Sequence, residues 1–549
     1  MKNRSTFLLT VFLMFPGWLQ ASAQPAPPRL VVVIIADQFP YDYLNRFGGS
    51  FGEGGFRRLI REGANFVNAS YEHAITLTAP GHAVILSGAY GNRNGIVTNT
   101  WYDTSSHATA YCVEDTTVSA VGGTGKGRSP ANLIGSTFGD ELRIASGFAA
   151  KVISLSHKDR AAVLLGGKLA NGTFWMSDSA FVTSTYYTSR LPAWVREFNA
   201  SGLVNSYFGR RWEQSLPESA FGSCDVDDAP YENGGNGLGR VFPHPITGED
   251  RNSITPSYYH ALIESPFGDE ILSAFAKAAV RGERLGLRGV TDLLCISFSS
   301  NDYVGHAYGP HSREVAEITV KTDSVIADLL RFLDREVGTG RYIVALTSDH
   351  GIAPIPEYLM RMREGAEAGR VRPDSISVTC EQALTARFGP LPKGVGWLEQ
   401  RIDKNLYLSR QALRRRRVSP EKAARVAADA LLRLRGIAAV YTREQLEQGV
   451  GCTLLDRKAR HSYHPLRSGD LMYVLKPYYI EGSGHMGSTH GDPYDYCAHV
   501  PLIIMGGPVK PGTYAAQATP ADLAPTLSVI TGVEFPAGRE GRVLSEALR

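Results

Sequence analysis

Six side chains with the chemistry of metal ligands stand at the ends of apolar runs or in glycine-rich loops of this sequence. They supply three carboxylates and three imidazoles: Asp37, Asp302, His306, Asp349, His350 and His490. Nitrogen and oxygen ligands in that proportion suit zinc. We therefore predict a metal centre built from these residues.

The spacing of these residues indicates more than one ion. Asp302 and His306 are four residues apart, so one turn of helix would place both on the same side of the chain. Asp349 and His350 are adjacent, and adjacent residues can bind two different ions only if those ions lie close together. This points to a binuclear centre, in which one ion activates a nucleophile and the other stabilises the leaving oxygen.

These residues need a scaffold that brings distant parts of the chain together. Residues 30–36 are a continuous apolar, mostly β-branched run that ends at Asp37, the pattern of a strand buried on both faces of a parallel sheet. The same pattern recurs at residues 293–298, 342–346 and 500–505. Amphipathic helical stretches, notably 266–285 and 312–337, lie between these runs. We predict an α/β fold with a doubly wound, mostly parallel central sheet flanked by helices, which binds ligands at the carboxyl ends of its strands.

The chain divides into a core and an insertion. Residues 354–480 combine a helix-rich middle, from 419 to 436, with a β-like stretch from 471 to 480, and they separate His350 from His490. We interpret them as a smaller inserted cap subdomain that borders the site. The core would then comprise residues 24–353, with a loop-rich stretch at 202–256, and residues 481–549.

The first residues have the pattern of an export signal. Lys2 and Arg4 precede an apolar run at 7–19, and Ala21-Ser22-Ala23 supplies a small-residue cleavage pattern. We predict a signal peptide at 1–23, and we favour its cleavage over its retention as an anchor. No later run is apolar for long enough to span a bilayer, so the mature protein should be periplasmic or secreted, without a membrane partner.

The charge balance excludes one class of partner. The signal holds two of the 57 basic residues and none of the 54 acidic residues, so the mature chain is close to neutral. This balance gives no support for nucleic acid binding, and we expect a monomer. The run Arg414–Arg417 could bind phosphate, but such a run is more often a solvated face. The six cysteines form no CxxC pair and allow 15 disulfide pairings, and Cys295, in an apolar run, is expected to be a buried thiol.

Seven segments resemble the alkaline phosphatase superfamily, and within it the phosphate-irrepressible alkaline phosphatases with a threonine nucleophile, which are related to the type I phosphodiesterases and nucleotide pyrophosphatases. They occur in that family's order: V-V-V-I-I-A-D-Q at 31–38, T-L-T-A-P-G-H at 76–82, N-G-I-V-T-N-T-W-Y-D at 94–103, S-H-K-D-R at 156–160, N-D-Y-V-G-H at 301–306, T-S-D-H-G at 347–351 and T-H-G-D-P-Y at 489–494. The ordered set is specific, although single members are not.

The resemblance implies a role for each residue. One Zn²⁺ would be held by Asp302, His306 and His490. The second would be held by Asp37, Asp349, His350 and the hydroxyl of Thr78. Thr78 would be the catalytic nucleophile and would be transiently phosphorylated, since zinc coordination lowers the pKa of a hydroxyl.

The resemblance also implies substrate-binding side chains. Asn99, Lys158 and Arg160 stand where this subfamily carries its phosphate-binding groups. If residues 158–160 are extended, Lys158 and Arg160 face the same way. A dianionic monoester carries more charge than a diester, so this pair favours the hydrolysis of phosphate monoesters with broad specificity. The alternative is a phosphodiesterase or nucleotide pyrophosphatase on the same scaffold.

Other interpretations fit less well. A sulfatase needs a modifiable Cys or Ser in C/S-x-P-x-R, and this chain has Thr78-Ala79-Pro80-Gly81. A secreted binding protein on an inert hydrolase scaffold would be indicated by a lost metal ligand, and none is lost. His82 follows the nucleophile and His485 precedes His490; we treat both as structural, with His485 as the reserve ligand.

Overall fold

The computed structural model describes residues 27–449 and 451–549. The predicted signal peptide at 1–23 lies outside them. Within the described residues, eleven strands form one large sheet. From one edge to the other these strands are Gly512–Tyr514, Gly63–Phe66, Leu502–Met505, Tyr342–Thr347, Leu30–Ala36, Asp292–Phe298, Val152–Ser156, Gly172–Ser177, Ala180–Ser184, Glu114–Val121 and Lys126–Arg128.

The middle of this sheet is parallel and fully buried. Leu30–Ala36 pairs in parallel with Asp292–Phe298 on one side and with Tyr342–Thr347 on the other. Alternate residues of Leu30–Ala36 enter two different hydrophobic clusters, one on each face of the sheet. A strand covered on both faces has no solvent side, which is why its sequence is continuously apolar. The predicted fold class is confirmed.

One of the four predicted strands differs from the parallel pattern of the others. Leu502–Met505, within the predicted run 500–505, pairs antiparallel with both Tyr342–Thr347 and Gly63–Phe66. The chain enters this strand from the edge at which the strand Tyr342–Thr347 ends, since Gly351 donates a hydrogen bond to the carbonyl of Cys497. It must therefore run back across the sheet in the opposite direction. A uniform apolar run identifies a buried strand but not its direction.

Helices cover both faces of the sheet. Their bounds include Thr78–Ser87, Phe138–Ala145, Asp159–Gly166, Pro256–Ile263, Pro266–Glu283, Ser300–Tyr308, Arg313–Leu333 and Leu523–Thr531. The two longest match the predicted stretches 266–285 and 312–337. Ser312 caps the second, because its hydroxyl accepts a hydrogen bond from the amide of Val315. Among the helices of the described residues, none has the length and apolar character needed to cross a membrane.

The predicted insertion contains a second sheet. Its four antiparallel strands lie in the order Leu398–Ile402, Asn405–Leu408, Leu471–Leu475 and Ile437–Thr442. The helices Pro373–Phe388, Arg410–Arg416, Pro420–Leu431, Arg443–Gln448 and Leu454–His461 accompany it. Most of these strands and helices share a separate hydrophobic cluster around Trp397. A separate core is what an inserted subdomain needs, although the exact boundaries remain a prediction.

Candidate active site

Thr78 lies at the start of a buried helix. Leu77 is extended and the helix Thr78–Ser87 begins at Thr78 itself, whose side chain is buried. The helix N-terminus directs backbone N–H groups and a partial positive charge towards this hydroxyl, a setting that favours negative charge. The helix packs directly on a neighbouring strand end, because a Cβ on Gly81 would lie 2.2 Å from the carbonyl oxygen of Asp349.

The three predicted carboxylate ligands meet at the carboxyl edge of the parallel strands. Asp37 directly follows the central strand, and Asp349 follows its neighbour on one side. Asp302 lies in the first turn of the helix Ser300–Tyr308, which follows the neighbour on the other side. All three are buried. Parallel strands end at the same edge, so residues up to 312 positions apart in the chain converge here.

Lys158 neutralises part of this buried negative charge. It follows the strand Val152–Ser156, and its Nζ lies 2.6 Å from Oδ2 of Asp37 and 2.5 Å from Oδ2 of Asp302. Gln38 donates to the other oxygen of Asp302 at 2.7 Å. Oδ1 of Asp37 and Oδ2 of Asp349 accept no hydrogen bond from the described residues. Buried carboxylate oxygens without donors are suited to a cation.

The three predicted histidine ligands share one orientation. Nδ1 of His306 faces the carbonyl of Ser488 at 2.9 Å, and Nδ1 of His350 faces the carbonyl of Gly351 at 3.0 Å. Nδ1 of His490 faces a third carbonyl, that of Thr76, at 2.8 Å. A carbonyl can only accept, so each Nδ1 is the donor and each Nε2 is left with a free lone pair. This is the arrangement that orients metal-ligating imidazoles.

The Nε2 atoms lie among the carboxylates and the nucleophile. His350 Nε2 is 3.5 Å from Oγ of Thr78 and 3.6 Å from Oδ1 of Asp37. His306 and His490 approach Oδ1 of Asp302 at 3.3 and 3.7 Å. The His350 and His490 rings stack with their centroids 3.5 Å apart. All six predicted ligands and Thr78 are therefore brought together.

Two groups of atoms are close enough to hold an ion each. Asp302, His350 and His490 form one group, and Asp37, His82 and Asp349 form the other; within each, the ligand atoms lie within 4.8 Å of one another. The residues thus fit a binuclear metal centre. The grouping exchanges some members relative to the predicted sets, in which His306 belongs to the first site and His350 to the second, so the assignment of each ligand to an ion remains a prediction.

His82 is closer to the chemistry than the sequence analysis suggested. Its Nδ1 is 2.8 Å from the carbonyl of Thr78 and 3.1 Å from Oδ2 of Asp349, and its Nε2 is 2.8 Å from Oγ of Ser297. The sequence feature that could have identified this role is the spacing of His82, one helical turn after Thr78. His82 therefore contacts both the backbone of the nucleophile and the carboxylate of Asp349. The reserve candidate His485 has a side chain that is 93% exposed and lies near Glu357, away from the other ligands.

The predicted phosphate-binding residues reach the site in different ways. Nη2 of Arg160 lies 3.5 Å from Oγ of Thr78, and Oδ1 of Asn99 accepts a hydrogen bond from the amide of Ala79 at 2.9 Å. The condition that residues 158–160 are extended is not met: Lys158 is extended but the helix begins at Asp159. Lys158 therefore points at the carboxylates, whereas Arg160 points at the nucleophile.

The buried charges shift one another's proton affinities in opposite directions. Burial and the nearby Asp349 raise the pKa of Asp37 well above its usual range. Burial would also raise the pKa of Asp302, but Lys158 and His306 hold it well below that range. Burial and the neighbouring His350 lower the pKa of His490 far below its usual value, which keeps this imidazole neutral, the form that binds metal.

Several candidates remain outside the site. Arg414–Arg417 are exposed at the end of the helix Arg410–Arg416 in the insertion. The six cysteines of the described chain are all free thiols, and Cys295 is buried as predicted. His461 and His499 also lie outside the site, where they face the carbonyls of Glu72 and Val67.

The α/β fold, the two buried groups of metal-ligating side chains and the threonine at the start of a helix are those of a hydrolase of the alkaline phosphatase superfamily. The model of the type I phosphodiesterase/nucleotide pyrophosphatase family matches residues 31–493, and the chain belongs to this family. It is 34% identical to alkaline phosphatase PhoV of Synechococcus elongatus, over 96% of each chain. It is 30% identical to alkaline phosphatase PafA of Elizabethkingia meningoseptica, over 98% of each chain.

Solved structures show the same relationship. The crystal structure of PafA superposes with a TM-score of 0.88 and 30% identity, covering 95% of this chain and 99% of that one. Murine ectonucleotide pyrophosphatase/phosphodiesterase 5 superposes with a TM-score of 0.51 and 14% identity, which shows a shared fold alone.

Proposed function

We propose that this protein is an alkaline phosphatase that hydrolyses phosphate monoesters through a phosphothreonine intermediate on Thr78. The observation that carries the proposal is the position of the Thr78 hydroxyl, which lies at a helix N-terminus between Nε2 of His350 and the guanidinium of Arg160. The relatives that match over nearly the whole chain are named alkaline phosphatases.

Two zinc ions are the proposed cofactors. Asp302, His306 and His490 would hold one, and Asp37, Asp349, His350 and Thr78 the other. When bound, such ions lower the pKa of a coordinated hydroxyl and neutralise charge that develops on oxygen. The residues provide a neutral imidazole at His490 and unpaired carboxylate oxygens at Asp37 and Asp349, which suit that role.

The chain's own residues carry the covalent steps. The hydroxyl of Thr78 gives up its proton to solvent, its Oγ attacks phosphorus, and the bond from phosphorus to the ester oxygen breaks. The ester oxygen keeps that electron pair, takes a proton from solvent and leaves as the alcohol. Water then attacks phospho-Thr78 and releases inorganic phosphate, which restores the hydroxyl. Arg160 would bind a non-bridging oxygen throughout, because its Nη2 is 3.5 Å from the attacking atom. Positioned cationic donors of this kind stabilise the charge of phosphoryl transfer.

The free guanidinium of Arg160 also favours monoesters. Arg160 is half-buried beside Thr78 and forms no ion pair among the described residues, so a substrate with two negative charges gains more there than one with a single charge. Lys158 is already engaged with Asp37 and Asp302 and reduces the net negative charge that a dianion meets. Asn99 is fixed by the amide of Ala79, next to the nucleophile, and would offer its NH₂ group to a phosphoryl oxygen. Each of these groups is assigned here to the phosphoryl group and none to the alcohol part of a substrate, which agrees with the proposed broad specificity. The second candidate, a diesterase, rests on the family's name and a fold shared at low identity.

One experiment separates the candidates. Purified wild type, Thr78→Ser and Thr78→Ala are assayed with an aryl phosphate monoester and the matching diester, with and without zinc. We expect a zinc-dependent preference for the monoester, a loss of about 10,000-fold or more in Thr78→Ala, and measurable activity in Thr78→Ser, which keeps a hydroxyl. A diester preference would support the second candidate, and full activity in Thr78→Ala would refute the nucleophile.

Export is proposed on the sequence of residues 1–23. The expected result is activity in the periplasmic fraction or the medium, with a mature N-terminus at Gln24 by mass spectrometry. Activity confined to the cytoplasm in cells that express the full chain would contradict it.

A further inference from the structure

A buried lysine of the insertion contacts the loop that carries His490. Lys404 lies at the turn between the strands Leu398–Ile402 and Asn405–Leu408, and only 7% of its surface is exposed. Its Nζ is 3.6 Å from Oδ1 of Asp492 and 3.6 Å from Oε1 of Glu481. Asp492 is 1% exposed, and it is two residues from His490.

The loop that holds Asp492 is tied to the segment before the nucleophile. The hydroxyl of Thr76 donates to the carbonyl of Asp492 at 2.8 Å. The carbonyl of Thr76 in turn faces Nδ1 of His490 at 2.8 Å. Thr76 is two residues before Thr78, so a displacement of Asp492 would move both a predicted metal ligand and the loop segment that leads into the nucleophile.

A second lysine of the insertion holds the same loop. Lys458, on the helix Leu454–His461, is buried and donates from Nζ to the carbonyl of Pro493 at 2.6 Å. Two lysine side chains of the insertion therefore contact consecutive residues of a core loop, Asp492 and Pro493. The two contacts differ in kind, because Lys458 binds a neutral carbonyl whereas Lys404 faces a carboxylate.

The carboxylate of Asp492 depends on Lys404. Its Oδ1 accepts no hydrogen bond that meets normal geometry from the described residues, and Lys404 is the cation beside it. A buried carboxylate that loses its counter-ion is strongly unfavourable, so the loop would rearrange to bring Asp492 towards water. Such a movement would carry His490 with it.

We propose that Lys404 is a positioning residue: through Asp492 it fixes the loop 489–493, and thereby His490, so that the insertion helps to assemble the metal centre. The inference rests on the proposed function only in taking His490 as a metal ligand. It gives the insertion a role that its sequence does not indicate, since Lys404 lies 86 residues from His490 in the chain.

The test compares Lys404→Met and Lys404→Arg with the wild-type full chain and with Lys476→Met. Lys476 is a matched control, because it belongs to the same insertion and pairs with a carboxylate, Glu367, but at an exposed position. Zinc loss to a chromogenic chelator is measured, together with hydrogen exchange of the amides at 489–493. In Lys404→Met we expect zinc loss about 10- to 100-fold faster, faster exchange in the loop, and a lower kcat with little change in KM.

The double variant Lys404→Met/Asp492→Asn keeps the test decisive if Lys404→Met folds poorly, since it removes both charges. The rate of zinc release from the double variant should return most of the way to the slow wild-type rate, and the rate from Lys404→Arg should be closer still to wild type. Wild-type zinc release and loop exchange in a folded Lys404→Met, or no recovery in the double variant, would overturn the proposal. Failure of the proposed function would appear instead in the wild type, as absent monoesterase activity, while loop exchange would still report on Lys404.

Discussion

Two groups of charged side chains in the described part of the molecule lie in opposite environments. At the carboxyl edge of the central sheet, Asp37, Asp302 and Lys158 are buried and in contact with one another. On the insertion, Arg414–Arg417 are consecutive, exposed and joined to no carboxylate by an ion pair among the described residues. In water, such charges are screened within about 10 Å, whereas buried charges are not. Burial, rather than the number of charges in the sequence, therefore marks the functional group.

The largest effect that sharpens this contrast is expected at Arg160. Arg160→Ala removes the guanidinium that lies 3.5 Å from Oγ of Thr78 and should lower kcat/KM for a monoester by about 100- to 1,000-fold. Arg93→Ala, at an exposed arginine, is the control and should leave the rate unchanged. The check is kcat/KM with a monoester and a diester. A loss equal for both substrates would show that Arg160 does not select the dianion.

A smaller effect is expected where the nucleophile helix packs on the sheet. In Gly81→Ala, the new Cβ would lie 2.2 Å from the carbonyl oxygen of Asp349, so the helix and this ligand must move apart. We expect a loss of about 100-fold in kcat/KM, because shifts near 1 Å have that cost in active sites. Gly49→Ala, with open space around its Cβ, is the control. Wild-type kinetics in Gly81→Ala would mean that this contact is adjustable.

A buried hydrogen bond beside the site should affect stability more than rate. The hydroxyl of Tyr71 donates to the carbonyl of Ser348 at 2.8 Å and is enclosed by the core. Tyr71→Phe leaves this carbonyl without that donor, so the free energy of unfolding should fall by about 1–2 kcal/mol. Urea unfolding measures it, with Tyr186→Phe as the exposed control. Equal effects in the two variants would contradict the role assigned to burial.

The smallest effect is expected at the exposed arginines. Replacement of Arg414, Arg415, Arg416 and Arg417 together by Gln should change the free energy of unfolding by no more than about 0.5 kcal/mol and leave kcat/KM unchanged at physiological salt. Thermal unfolding and steady-state rates check this. A marked fall in kcat/KM would mean that the run attracts substrate, the alternative that the sequence left open.

The architecture was predictable because its signals are local. A strand buried on both faces must be apolar throughout, as Leu30–Ala36 is. A helix with one solvent-exposed face must repeat its apolar residues every three to four positions, as Arg313–Leu333 does. The direction of Leu502–Met505 was not predictable, because a strand's pattern is the same in either direction. The sequence also left open whether residues 158–160 are extended, since the helix start at Asp159 depends on packing.

By itself, the sequence determined which side chains can perform the chemistry and that most of them follow the ends of predicted strands. It could do so because residue type and hydrophobic periodicity are properties of the sequence alone. Only the tertiary structure decided which atoms meet: that Lys158 bridges Asp37 and Asp302, that His82 supports Asp349, and that Lys404 reaches Asp492 from the insertion. These contacts join residues up to 267 positions apart. Their geometry comes from strand order and domain packing, which no local pattern encodes.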